Sequence, residues 1–240
     1  MENLETLVNR PISSSNELPG PQFNNKLYAV NQDGAIMVWN SNKGTWDSVR
    51  SADGTDTSNM KQIAFTTENR AIGISTSGEI MTMVISGSTI SNINSCGKTL
   101  GGQAASFFSF DSSGKLWGVL GPEGKVGFYD FFSWTYPSVL SAYKFSTIGV
   151  LDQGSPLVGI SQNTEEMIVL SKGIVDNGTN GGHVKYLQME FYIDKTGIVD
   201  AIGCGIHSVQ GEEYSFVSAG SIFNNLGRQK IKSVAYNPAG

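Results

Sequence analysis

Cysteine is scarce in this chain. Cys96 and Cys204 are the only two in 240 residues, too few for a disulfide framework. With no CxxC and no Cys/His ligand spacing, zinc is not expected either. Histidine is as rare, with only His183 and His207, and there is no G-x-S-x-G, so a Ser-His-Asp system finds no support. Positive charge is also short: 16 Lys and Arg stand against 21 Asp and Glu, a net charge of −5. The one basic cluster, GRQKIK (Gly227–Lys232), reads as a solvated strand edge, so nucleic acid is not an expected partner. An acidic chain is also repelled by anionic membrane surfaces. No apolar run approaches the roughly 18 residues that a spanning helix needs, so membrane insertion is not expected. The first twenty residues, MENLETLVNRPISSSNELPG, hold no apolar h-region of a secretory signal. The expected location is therefore cytoplasmic, or outside the cell by a non-classical route, and the sequon at Asn177 would matter only on export. No phosphate loop GxxxxGK[ST] occurs, and DGTDTSN (Asp53–Asn59) is only a faint echo of a calcium loop. Neither a cofactor nor a metal is expected.

What the chain has in excess is glycine, 29 residues, without a Gly-X-Y period. Its arrangement shows in FFSFDSSGKLWGVLGPEGKVGF (Phe107–Phe128), three apolar runs separated by two glycine turns. The middle run has a small residue at its centre, Gly118. The same pattern centres on Ala29 in LYAV, Gly73 in AIGI, Gly159 in LVGI and Gly203 in AIGC. The spacings are 44, 45, 41 and 44 residues. A period in this range marks propeller blades or helical arrays. The runs are short, rich in Val, Ile, Phe, Tyr and Trp, and bounded by Gly, Asn and Asp, so they are strands. Each has a partner strand on both sides across a turn, such as NQDG, STSG, GPEG, DSSG or DKTG, where glycine permits positive φ.

The first unit lacks its leading strand, and IKSVAY followed by NPAG, near the C-terminus, supplies it. Pairing the last strand with the first sheet closes a ring and removes its open edges. The predicted fold is therefore all-β: a five-bladed β-propeller of four-stranded antiparallel sheets over residues 23–240, closed by N- and C-terminal strands. Residues 1–22 form an arm or linker. The small motif centres are expected to let adjacent blades approach near the axis, so that a bulky side chain at Gly73, Gly118, Gly159 or Gly203 overpacks. The outer strands are TWDSV, TISNI, WTYPSVL, GIVDN and SIFNNL, more polar and divergent, as edge strands tend to be.

The repeat SFFSFDSSGKLWGVLGPEGKV (Ser106–Val126), and AYNPAG joined to KLYAV, resemble the tachylectin family of five-bladed lectins; tectonin-type propeller lectins are related. The other three repeats match more loosely. The resemblance implies non-catalytic binding of N-acetylated hexosamines, GlcNAc or GalNAc, at repeated sites between blades.

Aromatic residues suit sugar binding because a pyranose presents an apolar C–H face that stacks on Trp or Tyr. WNSNKGTWD (Trp39–Asp47) and WTYP (Trp134–Pro137) are the candidate sites, with Trp46, Asp47, Trp134, Tyr136 and Asn177 as candidate ligand-binding residues. Trp39 and Trp117 read as core. Asp111, Asp152, Asp194 and Asn237 recur at one place in the repeat. That favours turn-closing residues over catalytic acids, which need unlike environments. The leading expectation is a multivalent lectin that is not an enzyme, with glycans or glycoproteins as partners and oligomerisation left open. A protein-interaction propeller is the alternative, and it requires an exposed apolar or aromatic patch instead of repeated pockets. A five-bladed glycosidase, with one axial pocket of unlike acids, is the third reading.

Overall fold

A computed structural model describes residues 26–239 except 54–56, 58, 67–68, 153–156, 171–172, 176–183, 194–198, 210–211, 220–221 and 226–229. The expected arm over residues 1–22 lies outside the described residues. Four sheets are four-stranded and antiparallel. The first runs β21 (Ile231–Tyr236), β1 (Leu27–Asn31), β2 (Ile36–Asn40), β3 (Thr45–Ser48). The third runs β9 (Ala105–Phe110), β10 (Leu116–Leu120), β11 (Lys125–Tyr129), β12 (Trp134–Thr135). The fourth runs β13 (Phe145–Val150), β14 (Leu157–Ser161), β15 (Met167–Val169), β16 (Gly173–Val175). The last runs β17 (Val184–Ile193), β18 (Val199–Val209), β19 (Glu212–Ala219), β20 (Ile222–Asn225).

The second sheet departs from this form. It has five strands, β5 (Met60–Phe65), β6 (Arg70–Ser75), β7 (Ile80–Ser86), β8 (Thr89–Ser95) and β4 (Arg50–Ser51), and β4 pairs with β8 in parallel. The expectation of a five-bladed ring of equal four-stranded antiparallel sheets is thus corrected: four blades of that type form, and the remaining sheet is mixed. The cause is the connection from β3, which crosses the outer edge of β8. Arg50 N–H donates to the Ser88 carbonyl at 3.0 Å and Ala52 N–H to the Ile90 carbonyl at 2.8 Å. An outer edge that would stand open is covered by the linker itself.

The first and last strands meet, as the sequence leads one to expect. β21 pairs antiparallel with β1, Leu27 opposite Tyr236 and Ala29 opposite Val234. The innermost strands touch in cyclic order, β21 to β5, β5 to β9, β9 to β13, β13 to β17, and β17 back to β21. This closed circuit of sheets is a β-propeller. A sheet packed on both faces has no solvated side, so β1, β5, β6 and β14 are almost wholly buried and read as continuous apolar runs.

Every innermost strand carries a β-bulge at the same place, one extra residue being Lys232, Lys61, Ser106, Ser146 or Leu187. Bulges add local twist, and repetition in all five sheets marks them as built into the ring. Two bulge residues close their own accounts: the Ser146 hydroxyl donates to the Ile160 carbonyl at 3.1 Å and that of Ser106 to Val119 at 3.4 Å.

The motif glycines have a different reason from the one expected. A Cβ on Gly73 would strike Met60 and lie 2.7 Å from the Gln62 carbonyl, and one on Gly159 would strike the Phe145 ring. A Cβ on Gly203 would lie 3.1 Å from the Tyr186 ring. Each large neighbour stands on the first strand of the same sheet, just before the bulge, and lies across the glycine. The third sheet has Ala105 at that position, and the space over Gly118 is taken instead by Trp134, whose Cη2 would be 2.8 Å from an added Cβ. The close approach between sheets occurs elsewhere, at Gly149, where a Cβ would strike the Met189 carbonyl and lie 2.7 Å from the Glu190 Cα.

Neighbouring sheets are tied by buried amides. Gln62 donates to the Phe108 carbonyl at 2.9 Å and accepts from the Phe108 N–H at 3.2 Å. Gln188 makes the same pair with Val234, at 2.8 and 2.9 Å. Both glutamines stand directly after the bulge and are 1% exposed. Replacing Gln62 with Leu keeps the volume and strands both backbone groups of Phe108. The expected loss is about 2–4 kcal/mol, read as a lower urea midpoint; an unchanged midpoint would refute the clamp.

Candidate functional site

The outer edge of the third sheet exposes Phe131 (87%), Phe132 (89%), Val139 (63%) and Tyr136 (45%). The two phenylalanines form the tip of the turn from β11 to β12. Asp130 holds that turn: its carboxylate accepts from the Ser133 N–H at 2.9 Å and the Phe132 N–H at 3.3 Å. Asp130 N–H in turn donates to the Ser133 carbonyl at 3.1 Å. The Ser133 and Phe132 amides hold the Asp130 carboxyl below the usual carboxylate range. Phe131 sits at φ +76°, a left-handed conformation costly for a bulky side chain. Two large rings are therefore presented to solvent on a turn braced beneath them.

Below this tip, Trp134 anchors the edge. It is 8% exposed, its indole N–H donates to the Leu100 carbonyl at 2.7 Å, and its ring stacks on Phe108 with centroids 6.5 Å apart. Trp46 is 6% exposed and meets Trp39 edge-on at 5.4 Å. Both tryptophans pack in the core, which leaves no ring face open for stacking a sugar. Asp47 is engaged inside its own hairpin, accepting from Asn40 at 2.8 Å and pairing with Lys43 at 3.2 Å, and the Asn40 and Lys43 bonds lower its carboxyl. Asn177 lies outside the described residues. Tyr136 borders a cavity of about 630 Å³, with Pro122, Glu123 and Lys125. The structure does not bring Trp46 and Asp47 together with Trp134 and Tyr136: the first pair is on the first sheet, the second on the third.

Asp111 is a turn residue. Burial alone would raise its carboxyl, but bonds from Ser113, Trp117 and Lys115 hold it below the ordinary range. The Trp117 indole donates at 3.0 Å, the Ser113 hydroxyl at 2.6 Å and the Lys115 N–H at 2.9 Å. Asp194 lies outside the described residues. Among the described residues, no group of three or more His, Cys, Asp or Glu could hold a metal ion.

Two further cavities differ from the one at Tyr136. One, about 410 Å³, lies where the first and second sheets meet, against Ile36, Met60, Met81 and Met83. The other, about 130 Å³, lies on the axis, and sequence reasoning missed it. Its wall includes Tyr236, Phe65, Phe110, Val150 and Phe191. Those five occupy one register position in the five innermost strands, two residues beyond the partner of each motif centre. Glu190 also lines it. Burial pushes the Glu190 carboxyl up to about 8, and no hydrogen-bond or ion-pair partner for it exists among the described residues. The signal was in the sequence: LQMEFYI is the one innermost strand with an acid in its middle. The cavities at Tyr136 and at Met60 both sit at the turn between the second and third strands of their sheets, Leu120–Lys125 and Ser75–Glu79, though with different side chains; the axial cavity stands apart from both.

No family model matches the chain. No curated protein matches it. Among solved structures it is similar to U3-55K at 10% identity, over 92% of this chain and 84% of that one, with a TM-score of 0.47. It is similar to a chain of a mitotic checkpoint complex at 10% identity, over 97% and 91%, with a TM-score of 0.43. It is similar to the Dos1 propeller at 14% identity, over 88% and 55%, with a TM-score of 0.38. At these scores the likenesses carry no functional argument, and the propeller architecture rests on strand order and the circuit of inner strands. The resemblance to the tachylectin lectins is corrected. No family model or curated protein supports it, and the second sheet breaks the equal repeat.

Two outcomes follow from this geometry. Trp134→Ala should cost about 3–5 kcal/mol by opening the core, whereas Phe132→Ala should stay within about 0.5 kcal/mol. Phe131→Gly, which removes a side chain from the left-handed region, should be neutral or stabilising by up to about 1 kcal/mol. Urea denaturation separates these cases, and a large loss at Phe131 or Phe132 would mean they pack inward. The second outcome concerns pH. A carboxyl whose folded value lies above its unfolded value of 4.5 holds its proton more tightly in the native state. Stability should then fall as pH rises from about 4.5 to 8 and level off above, and Glu190→Gln should flatten that fall. The elements packed on β17 carry Lys232 and Tyr236 on β21, Asp200, Cys204 and His207 on β18, and no titratable residue on β13 or β14. A pH profile of the urea midpoint identical in the two proteins would exclude Glu190 as the source.

Proposed function

We propose that this chain is a non-catalytic protein-interaction propeller that docks through the outer edge of the third sheet. The observation that carries the reading is the Phe131–Phe132 turn, two rings almost fully in water on a strained backbone. Solvent-exposed aromatics cost solubility, and strained conformations cluster where function needs them. A rigid ring supplies the platform; Asp130 and Trp134 fix the turn, so the rings need little ordering on contact. The partner this suits is a protein with an apolar cleft wide enough for two aromatic rings. Aromatic residues of this kind dominate the energetics of protein interfaces.

A glycan-binding reading has less behind it, because the tryptophans expected to stack sugars are buried and the side chains that line the cavities of the second and third sheets differ. The test is photo-cross-linking from position 132 in extract of the source organism, followed by binding measurements with the partner identified. Phe131→Ser with Phe132→Ser should abolish that binding with folding intact, and free N-acetylglucosamine or N-acetylgalactosamine should leave it unchanged. Displacement by either sugar, or full binding by the double variant, would overturn the proposal.

A further inference from the structure

The axial cavity is separate from the third-sheet edge. Glu190 is 7% exposed, lines this cavity, and has no partner among the described residues. The matching positions of the other four innermost strands hold Ala235, Ala64, Ser109 and Gly149, so one carboxyl stands in a layer otherwise made of small residues. A buried carboxyl without partners is expensive, and it is retained where something complements it.

We propose that the axial cavity binds a small organic cation through a methylated ammonium head. Three features select this chemistry. The wall offers the rings of Phe65, Phe110, Phe191 and Tyr236, and aromatic faces attract cations once water is removed. The lining includes no Lys or Arg, and its other carboxylate, Asp111, is already engaged by Ser113, Lys115 and Trp117. The volume, about 130 Å³, is below the roughly 300–1,000 Å³ of ordinary small-molecule sites, and so suits a head group better than a whole sugar. A bare metal ion would want several oxygen ligands and finds an apolar wall. A methylated ammonium sheds its water more cheaply than a primary one and needs no further acceptors.

Because burial raises the Glu190 carboxyl, it is largely protonated at neutral pH in the empty site, and a bound cation must drive its proton out. Binding should therefore release close to one proton per ligand at pH 7.

The test is calorimetric titration of the full chain at pH 7, in two buffers of different ionisation enthalpy. The probes are tetramethylammonium, choline, free trimethyl-lysine and the uncharged carbon isostere of choline. The expected result is choline or trimethyl-lysine binding at least tenfold tighter than the isostere, with proton release; which of the two is tighter assigns the source of the head group. Glu190→Gln matches the shape of the protonated acid and should fold, yet lose tenfold or more in affinity and all proton release. Phe110→Leu should weaken binding severalfold without changing the proton count, and it serves if the Gln variant fails to fold. Equal binding of the isostere, no binding of any cation to folded protein, or unchanged affinity in Glu190→Gln would each overturn the proposal.

Discussion

The architecture depends on one pairing: β21 must lie against β1. Without it the first sheet loses its innermost strand, and two gaps open at once, against β5 on one side and β17 on the other. The Gln188 clamp would also lose its partner, since it holds the backbone of Val234. Chain closure and sheet-to-sheet bonding are thus the same constraint. A ring closed by an ordinary antiparallel ladder gains the full cooperativity of a sheet at its seam, and both seam strands, β1 and β21, become part of the core.

Much of this was legible in the sequence because it is periodic. A small residue between apolar neighbours, recurring every 41–45 positions, placed every second strand, and the orphan IKSVAY placed the closing one. What could not be read was anything depending on one sheet differing from the next. The parallel β4 arises from the route of a linker, and residues 50–51 carry no strand signal of their own. The bulges are invisible because an extra residue in an apolar run alters no pattern. The role of the motif glycines was misassigned for a related reason: composition shows that a site is small, not which neighbour fills the space. At Gly118 that neighbour, Trp134, is 16 residues away along the chain.

The candidate site was less legible still. An aromatic residue in a polar segment can stack a ligand or anchor an edge, and the sequence does not distinguish them. Trp46 and Trp134 anchor, whereas Phe131 and Phe132, just before Trp134 in the chain, stand in water. Burial decided the matter in each case, and at Phe131 and Phe132 exposure follows from the turn that Asp130 holds. The two sequence-readable clues were both breaks in the pattern: a doubled Phe directly after an Asp, and a Glu inside an innermost strand.

Those breaks carry the functional argument. In a ring of similar sheets, features common to all five sites serve the ring, because each does the same packing task. The bulges are of this kind, as is the wall of Tyr236, Phe65, Phe110, Val150 and Phe191. Glu190 does no such task; its four counterparts show that a small residue satisfies the packing there. Phe131 does none either, since its φ of +76° works against the fold. Residues that cost stability and contribute nothing to closure need another reason to be present. The two lie toward one end of the ring, because β9 and β11 run in the same direction and finish on the side where the axial cavity lies. A partner seated on the third-sheet edge would therefore approach the end of the ring on which the axial cavity lies, but at the outer strands and not at the axis, so the two sites share an end of the ring and no residue.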